Sequence, residues 1–508
     1  MPASSALPAA VDVLIVGTGV GGVSAAHFIG RDHPERTYAV LEARDAIGGT
    51  WDQFRYPGVR SDSDLQTFGF AFKPWTGHKS MAAGPAILDY VRETTVEFGI
   101  DEHIWLSRRV VSADWVSADG QWHVTVHNSK TGQTESIRCA WLHSACGLFN
   151  YDRGYTPDYP GRERFTGTFV HPQFWPEGLD LRDKRVVVIG SGATAITLIP
   201  SVVDDVAHVT MLQRSPGYIL PWPEVDRIAN GLRRLLGNSA GHALARRKNV
   251  LMYTHLWKFS QRHPELVKRL IRRIQKNRLP AGFDHQTHLS PRYNPWDERM
   301  CMAPKGDFFA ALHSGKADIV TDRIATFTAD GIELESGRTL EADVVVSATG
   351  FELGLFGGMA LSVDGVPVSF PDTVVFRSAM LSGIPNFTFV WGYTNVSWTL
   401  KVDLVSEYLA RTLSYLDEQG AIACVPRAPE DMGLGPFMDF QPGYVRRSID
   451  RFPKVGNRDP WDMPMWYRND VRRLRLLPIG SHELELIGRD ATAPGTAAEQ
   501  AAVQGSRR

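Results

Sequence analysis

Apolar and polar positions follow two rhythms along this chain, and the rhythms take turns. Residues 11–17, VDVLIVG, apolar but for Asp12, read as a buried parallel strand. Residues 23–32, VSAAHFIGRD, have helical character, and residues 37–42, TYAVLE, read as a second strand ending at Glu42. The succession returns with an apolar strand at residues 185–189, RVVVI, and another at 208–212, HVTML. Strands and helices in alternation predict an α/β fold. From 244 to 274 apolar residues recur at helical spacing among basic ones, which predicts a helical insertion at about 223–290. Residues 165–176, FTGTFVHPQFWP, fit neither rhythm. Two prolines break any helix there, and the aromatic content is too high for an idle linker.

The turns that join strand to helix carry the chemistry. The first strand runs into Gly17-Thr18-Gly19-Val20-Gly21-Gly22, a GxGxxG pattern. Gly17 permits the tight turn, Gly19 lets the backbone approach a pyrophosphate, and Gly22 lets helix and strand pack closely. The helix N-terminus offers free N–H groups to phosphate, and Glu42 stands where a carboxylate accepts from ribose hydroxyls. Gly48, Gly49, Thr50 and Trp51 follow. A glycine pair just past the ribose acid resembles the second FAD contact of two-dinucleotide flavoproteins. The strand at 185–189 feeds Gly190-Ser191-Gly192-Ala193-Thr194-Ala195, a GxGxxA variant. Its next strand ends at Gln213-Arg214-Ser215, and an arginine in place of an acid suits a ribose 2′-phosphate, hence NADPH over NADH. Two such sites predict two dinucleotide-binding Rossmann-like domains, one for FAD and one for NADP, with hydride passing from nicotinamide to flavin.

Composition narrows the picture. With 508 residues, a formal net charge of −1 and 43% hydrophobic content, the chain has the make-up of a soluble protein with no electrostatic case for nucleic acid. Cys139, Cys146, Cys301 and Cys424 form no CxxC pair and no zinc spacing, so neither a dithiol reductase nor a metal site is expected. That usage fits a reducing cytosol, and a cytoplasmic location is expected. The N-terminus lacks the basic and apolar regions of a signal peptide, and no run of 18 apolar residues occurs. Residues 490–508 have the composition of a disordered tail.

The interrupted stretch then acquires a meaning. Phe165, Gly167, His171, Trp175 and Pro176 match the FxGxxxHxxxW(P/D) fingerprint of class I Baeyer–Villiger flavoprotein monooxygenases. Other strings agree: GGTWDQFRYPGVRSDSD at 48–64 looks like that family's flavin-side loop. PRYNPWDERMC at 291–301 and GYTNVSWTLKVDLVSEY at 392–408 resemble its thioamide-activating (ethionamide-activating) branch. Ala348-Thr349-Gly350 matches the return from NADP domain to FAD domain. The resemblance spans roughly residues 11 to 425. It implies FAD and NADPH as cofactors and O2-dependent insertion of oxygen into ketones through a C4a-peroxyflavin, with sulfides as further substrates. It also implies that Arg299 supplies the catalytic cation and Asp62 its carboxylate partner, with Asp64 as the rival. Val110 is expected among the cofactor-binding residues. The fingerprint would be an interdomain linker, His171 a hinge histidine, and Phe165 and Trp175 packing anchors. Trp391, Tyr393, Asn395 and Trp398 read equally as substrate-cavity wall or buried strand edge.

Two other functions stay open: N- or S-oxygenation by a flavin monooxygenase, and a nucleotide-binding redox sensor without oxygenation. The insertion is open too. Fourteen Arg or Lys and one acid fall between Arg227 and Arg278. Such a segment is a solvated face packed on the NADP domain, a contact with an anionic membrane surface, or a steering field for NADPH. The expected boundaries are an FAD domain at 10–155 and 335–489 and an NADP domain at 156–334. The oligomeric state is not expressed in the sequence.

Overall fold

The structure, a computed structural model, describes residues 6–298, 300–438 and 443–488. Arg299 and the expected tail at 490–508 lie outside the described residues.

The first unit is built on a nine-stranded sheet. Strand β1 (Ala10–Val16) lies between β2 (Tyr38–Leu41) and a later strand, parallel to both, and helix α1 (Val20–Asp32) makes the first crossover. Strand β3 (Ile104–Trp105) extends the edge beside β2, while β4 (Arg108–Val116), β5 (Gln121–Asn128) and β6 (Thr134–Ser144) form an antiparallel meander that returns to β1. All four residues of β2 are buried, as the apolar run requires of a strand covered on both faces. Between β2 and β4 come two short helices, α2 (Thr50–Gln53) and α3 (Leu65–Phe68), and the longer α4 (Gly84–Glu97).

The second unit is a five-stranded parallel sheet. Its strands are β7 (Thr168–Val170), β8 (Arg185–Ile189), β9 (His208–Gln213) and two later strands; helix α5 (Ala193–Val202) follows β8. Strand β10 (Ile219–Trp222) pairs with β11 (Cys301–Pro304), and between them run α6 (Arg227–Arg262), broken at Gly237 where φ is +78° and ψ 170°, α7 (Pro264–Lys276) and a short helix, His285–His288. Strand β12 (Ala317–Thr321) pairs with β9; the antiparallel strands β13 (Ile324–Phe327), β14 (Gly331–Leu334) and β15 (Thr339–Glu341) precede β16 (Val344–Ser347), which sits between β7 and β8. The expected boundary at 334 therefore falls too early, because β15 and β16 still belong to this unit and the chain leaves it at Ala348–Gly350. Beyond that point residues 360–363 and 387–389 join the first sheet, beside β4 and β6, and the helix Thr399–Gln419 packs on α1.

The fingerprint stretch forms the edge strand β7 and one short helical turn, Pro172–Phe174. Phe165 is buried and meets Phe327 edge-on, so it is a packing anchor. Trp175 packs beside the buried core around α5.

The helical insertion is present but does not pack on the second unit alone. Arg246 on α6 is buried and donates to the carbonyls of Gln66, Thr67 and Gly69 at 3.3, 3.3 and 2.5 Å, and to Asp403 at 3.1 Å. Asn249 donates to Asp64 at 2.6 Å. A buried guanidinium must spend its donors on fixed acceptors, and those all come from the first unit. The insertion is thus a strap between the two units, a relation that helical periodicity does not carry.

His143 on β6 is completely buried, with Nδ1 2.8 Å from Thr388 Oγ1. Burial pushes its pKa down to about 3. The unfolded chain binds this proton below about pH 6.5 and the folded chain does not, so stability falls as pH drops through that window, by ~1.4 kcal/mol per pH unit. Melting temperatures of wild type and His143→Leu between pH 7 and 4 check this: the acid-side slope should be shallower in the variant, and equal slopes would refute the assignment.

Candidate active site

The two strand–turn–helix junctions open onto one cavity of about 1320 Å³. From the first unit, Gly17, Gly19, Glu42, Gly49, Thr50, Trp51, Asp62 and Val110 line it; from the second, Gly190, Ser191, Gly192, Thr194, Arg214 and Ser215 do. Gly22 and Ala195 do not. Both are buried inside their helices, where a small residue serves close packing of helix on strand.

Each junction has a backbone reason for its sequence. Gly17 and Gly190 hold φ of +107° and +130°, which side-chain-bearing residues rarely adopt. A Cβ on Gly22 would lie 1.8 Å from the carbonyl oxygen of Gly17. Glu42 is buried; its Oε2 accepts from Thr18 N at 2.9 Å and Thr18 Oγ1 at 2.7 Å, and its Oε1 from Arg44 N at 3.0 Å. The carboxylate is held by the turn it serves.

The loop after α2 closes the gap between units. Gly58 has φ +79°, and a Cβ there would come 1.9 Å from Ser201 Oγ and 2.3 Å from Thr197 O, both on α5. Arg60 reaches Asp307 of the second unit at 2.5 Å. On this loop Asp62 and Asp64 part company. Asp64 caps α3, accepts from Thr67 N at 3.0 Å and is fully buried against Asn249, whereas Asp62 lines the cavity.

His171 ties the fingerprint to the return segment. Gln173 N donates to its Nδ1 at 3.2 Å, so Nε2 carries the proton and donates to Gly350 O at 3.2 Å. Burial lowers its pKa, which keeps the ring neutral. A Cβ on Gly154 would sit 2.1 Å from the imidazole, so the ring occupies space that only glycine leaves.

Trp391, Tyr393 and Trp398 line the cavity. Asn395 does not; its side chain donates to Met465 O at 2.7 Å. Several lining residues carry no motif to find them by. Tyr151 OH lies 3.1 Å from Thr50 Oγ1, and Arg447 stacks 3.3 Å over the ring of Tyr155. Glu298 faces the cavity half-buried. Burial raises its pKa and Arg214 opposes the rise.

Comparison with known proteins decides the family. The profile of flavin-binding monooxygenase-like proteins matches residues 77–357, and that of NAD(P)-binding Rossmann-like domains matches 15–82. The FAD-containing monooxygenase EthA of Mycobacterium tuberculosis is 47% identical over 483 residues, covering 95% of this chain and 98% of its own length. EthA of Mycolicibacterium smegmatis is 47% identical, covering 93% and 96%. This chain belongs to the flavin-binding monooxygenases. In fold, it superposes on a steroid monooxygenase solved with NADP with a TM-score of 0.71 at 22% identity, covering 83% of this chain and 88% of that one.

The residues of this flavin-binding monooxygenase fit two dinucleotides. In front of α1 a Cβ on Gly19 would meet only Gly49 Cα, at 3.8 Å, and in front of α5 a Cβ on Gly192 would meet nothing within 4 Å. Both helix N-termini thus face room that the protein does not fill, with N–H groups directed at it. Glu42 stands beside the first space and Arg214 beside the second. Arg214→Ala should raise KM for NADPH by roughly 10-fold or more and leave that for NADH nearly unchanged. Equal losses for both would mean that Arg214 does not meet the 2′-phosphate.

Proposed function

We propose that this monooxygenase uses FAD, NADPH and O2 to insert one oxygen atom into ketones, giving esters or lactones, and that it also oxidises sulfides. The observation that carries the reading is one cavity shared by both nucleotide cradles and an aromatic wall. Bound FAD would supply the acceptance of hydride from NADPH and the activation of O2, one oxygen going to the substrate and the other to water. The chain's own residues do the rest. The N-termini of α1 and α5 and the groups Glu42 and Arg214 hold the dinucleotides. Trp391, Tyr393 and Trp398 give the substrate an apolar, water-poor wall with few polar groups. Arg299 supplies a fixed cation where negative charge develops on the carbonyl oxygen, and Asp62 orients its guanidinium. Its chain neighbours Glu298 and Cys301 both line the cavity. His171 acts as a hinge that joins the fingerprint to Gly350.

The fingerprint, with Trp175-Pro176 at its end, supports ketone oxygenation over N-oxygenation. Membership among the monooxygenases disfavours a sensor without oxygenation. The test supplies the purified holoenzyme with NADPH, air and a panel of linear and cyclic ketones. Ester should form in step with NADPH oxidation for at least one ketone. Hydrogen peroxide as the sole product with every ketone would sink the reading. Arg299→Ala should keep its flavin and its reduction by NADPH, and lose ester formation by roughly 100-fold or more; ester formed at the wild-type rate would remove Arg299 from the mechanism.

A further inference from the structure

The strap that joins the two units has an outer face that is largely exposed, with Lys258 on it stacked over Trp466 at 3.9 Å. Of sixteen large apolar side chains exposed among the described residues, nine fall between Ile228 and Leu270. On α7, Val267, Ile271 and Gln275 point inward, packing near Tyr218 and Met302, and Gln275 donates to Ile219 O at 2.9 Å. Helical geometry then puts Leu266, Arg269, Leu270 and Arg273 together on the outside, and all four are exposed. On α6 the buried Arg246, Asn249 and Tyr253 define the inner side. Leu244, Arg247, Leu251, Phe259 and Arg262 are exposed. Leu251 and Leu270 are 51% and 53% exposed, too much for a face merely solvated by its charges.

Charged and apolar groups stand together on the exposed sides of both helices. The segment from Arg227 to Arg278 carries fourteen cations, of which Arg246 is buried against Asp403 and Lys248 pairs with Asp226 at 2.6 Å, and a single acid, Glu265, which Lys268 engages at 2.8 Å. We infer that the outer face of the α6–α7 hairpin docks on an anionic lipid surface, with the leucines and Phe259 entering the headgroup–acyl boundary and the arginines meeting lipid phosphates. Basic amphipathic helices bind membranes through this combination. A nucleic acid would use the cations and leave the leucines without a role. A second copy docked face to face would set one cationic hairpin against another. No described helix is long and apolar enough to cross a membrane, so the contact is peripheral.

The docked face lies one layer above the cavity wall. Trp296 donates to Ser260 Oγ of α6 at 3.3 Å, Gln261 of α6 to Pro295 O at 3.5 Å, and Tyr293 lines the cavity. A substrate dissolved in lipid would therefore leave the bilayer beside the loop that walls the site. This inference concerns the surface and holds whatever the oxidised substrate is.

The test is cosedimentation of the full-length holoenzyme with phosphatidylcholine vesicles containing about 30% phosphatidylglycerol, and with pure phosphatidylcholine. Wild type should bind the anionic vesicles only and come off in about 0.5 M salt. Arg269→Glu/Arg273→Glu should weaken binding by at least about 25-fold, and Leu266→Ser/Leu270→Ser by several-fold, each with NADPH oxidation in free solution unchanged. Binding to neither vesicle, or a charge-reversed protein that binds like wild type, would overturn the inference. So would size-exclusion data in which charge reversal instead dissolves an oligomer, which would assign the face to a second copy.

Discussion

Gly22→Ala should yield protein without flavin, and little of it. The added Cβ would stand 1.8 Å from the carbonyl oxygen of Gly17 and 2.9 Å from its carbonyl carbon. Both are backbone atoms of the turn itself, so no side chain can swing aside. Relief requires pushing α1 off β1, which opens the cradle and breaks into a core where Ile15, Val23 and Ala26 are fully or almost fully buried. Overpacking with flexible neighbours costs about 1–3 kcal/mol, and a backbone clash of this depth exceeds that range. Gly192→Ala is the contrast. Nothing lies within 4 Å of its Cβ, so it should fold and keep its flavin while losing most NADPH-driven reduction, because the methyl takes the space for the second pyrophosphate. Flavin-to-protein ratio and anaerobic reduction rate separate the two. A Gly22→Ala protein purified with full flavin would contradict the packing of α1 on its strand.

The second large effect concerns a buried ion pair behind the aromatic wall. Lys401 Nζ lies 2.5 Å from Asp470 Oδ2, with side-chain exposures of 2% and 0%, and Tyr393 OH donates to the same oxygen at 2.6 Å. Burial pulls the lysine pKa down and the tyrosine pKa well up, so the carboxylate works as the shared acceptor. Removing one partner leaves a charge in a dry interior. Lys401→Met or Asp470→Leu should each cost about 3 to 5 kcal/mol, and the double variant less than either. Chemical denaturation measures it. Additive losses would mean that the pair is not coupled. Asp470→Leu also frees Tyr393, so any protein that survives should show altered substrate KM, since Tyr393 lines the cavity.

Much of this was legible along the chain because the signals are local. Strand, turn and helix at each cradle need apolar runs, φ-positive glycines and a small residue at a fixed spacing, and all of these are neighbours in sequence. Gly17, Gly19, Glu42, Gly190, Gly192 and Arg214 all line one cavity. The choice between Asp62 and Asp64 rests on resemblance; in the structure Asp64 caps α3 and Asp62 lines the cavity. Asn395 was set beside Trp391, Tyr393 and Trp398 because they share a segment, yet it turns away to the carbonyl of Met465.

Local patterning, with its covalently fixed spacing, was enough to establish two dinucleotide cradles, an α/β architecture, a helical insertion and an excess of positive charge on it. Tertiary structure decided what those parts meet. The insertion straps the first unit because Arg246 finds three carbonyls and Asp403, 157 positions away. The second sheet reaches to Ser347 because β16 slots between β7 and β8. Burial of a polar group depends on which distant acceptors converge on it, and that is a property of the folded chain.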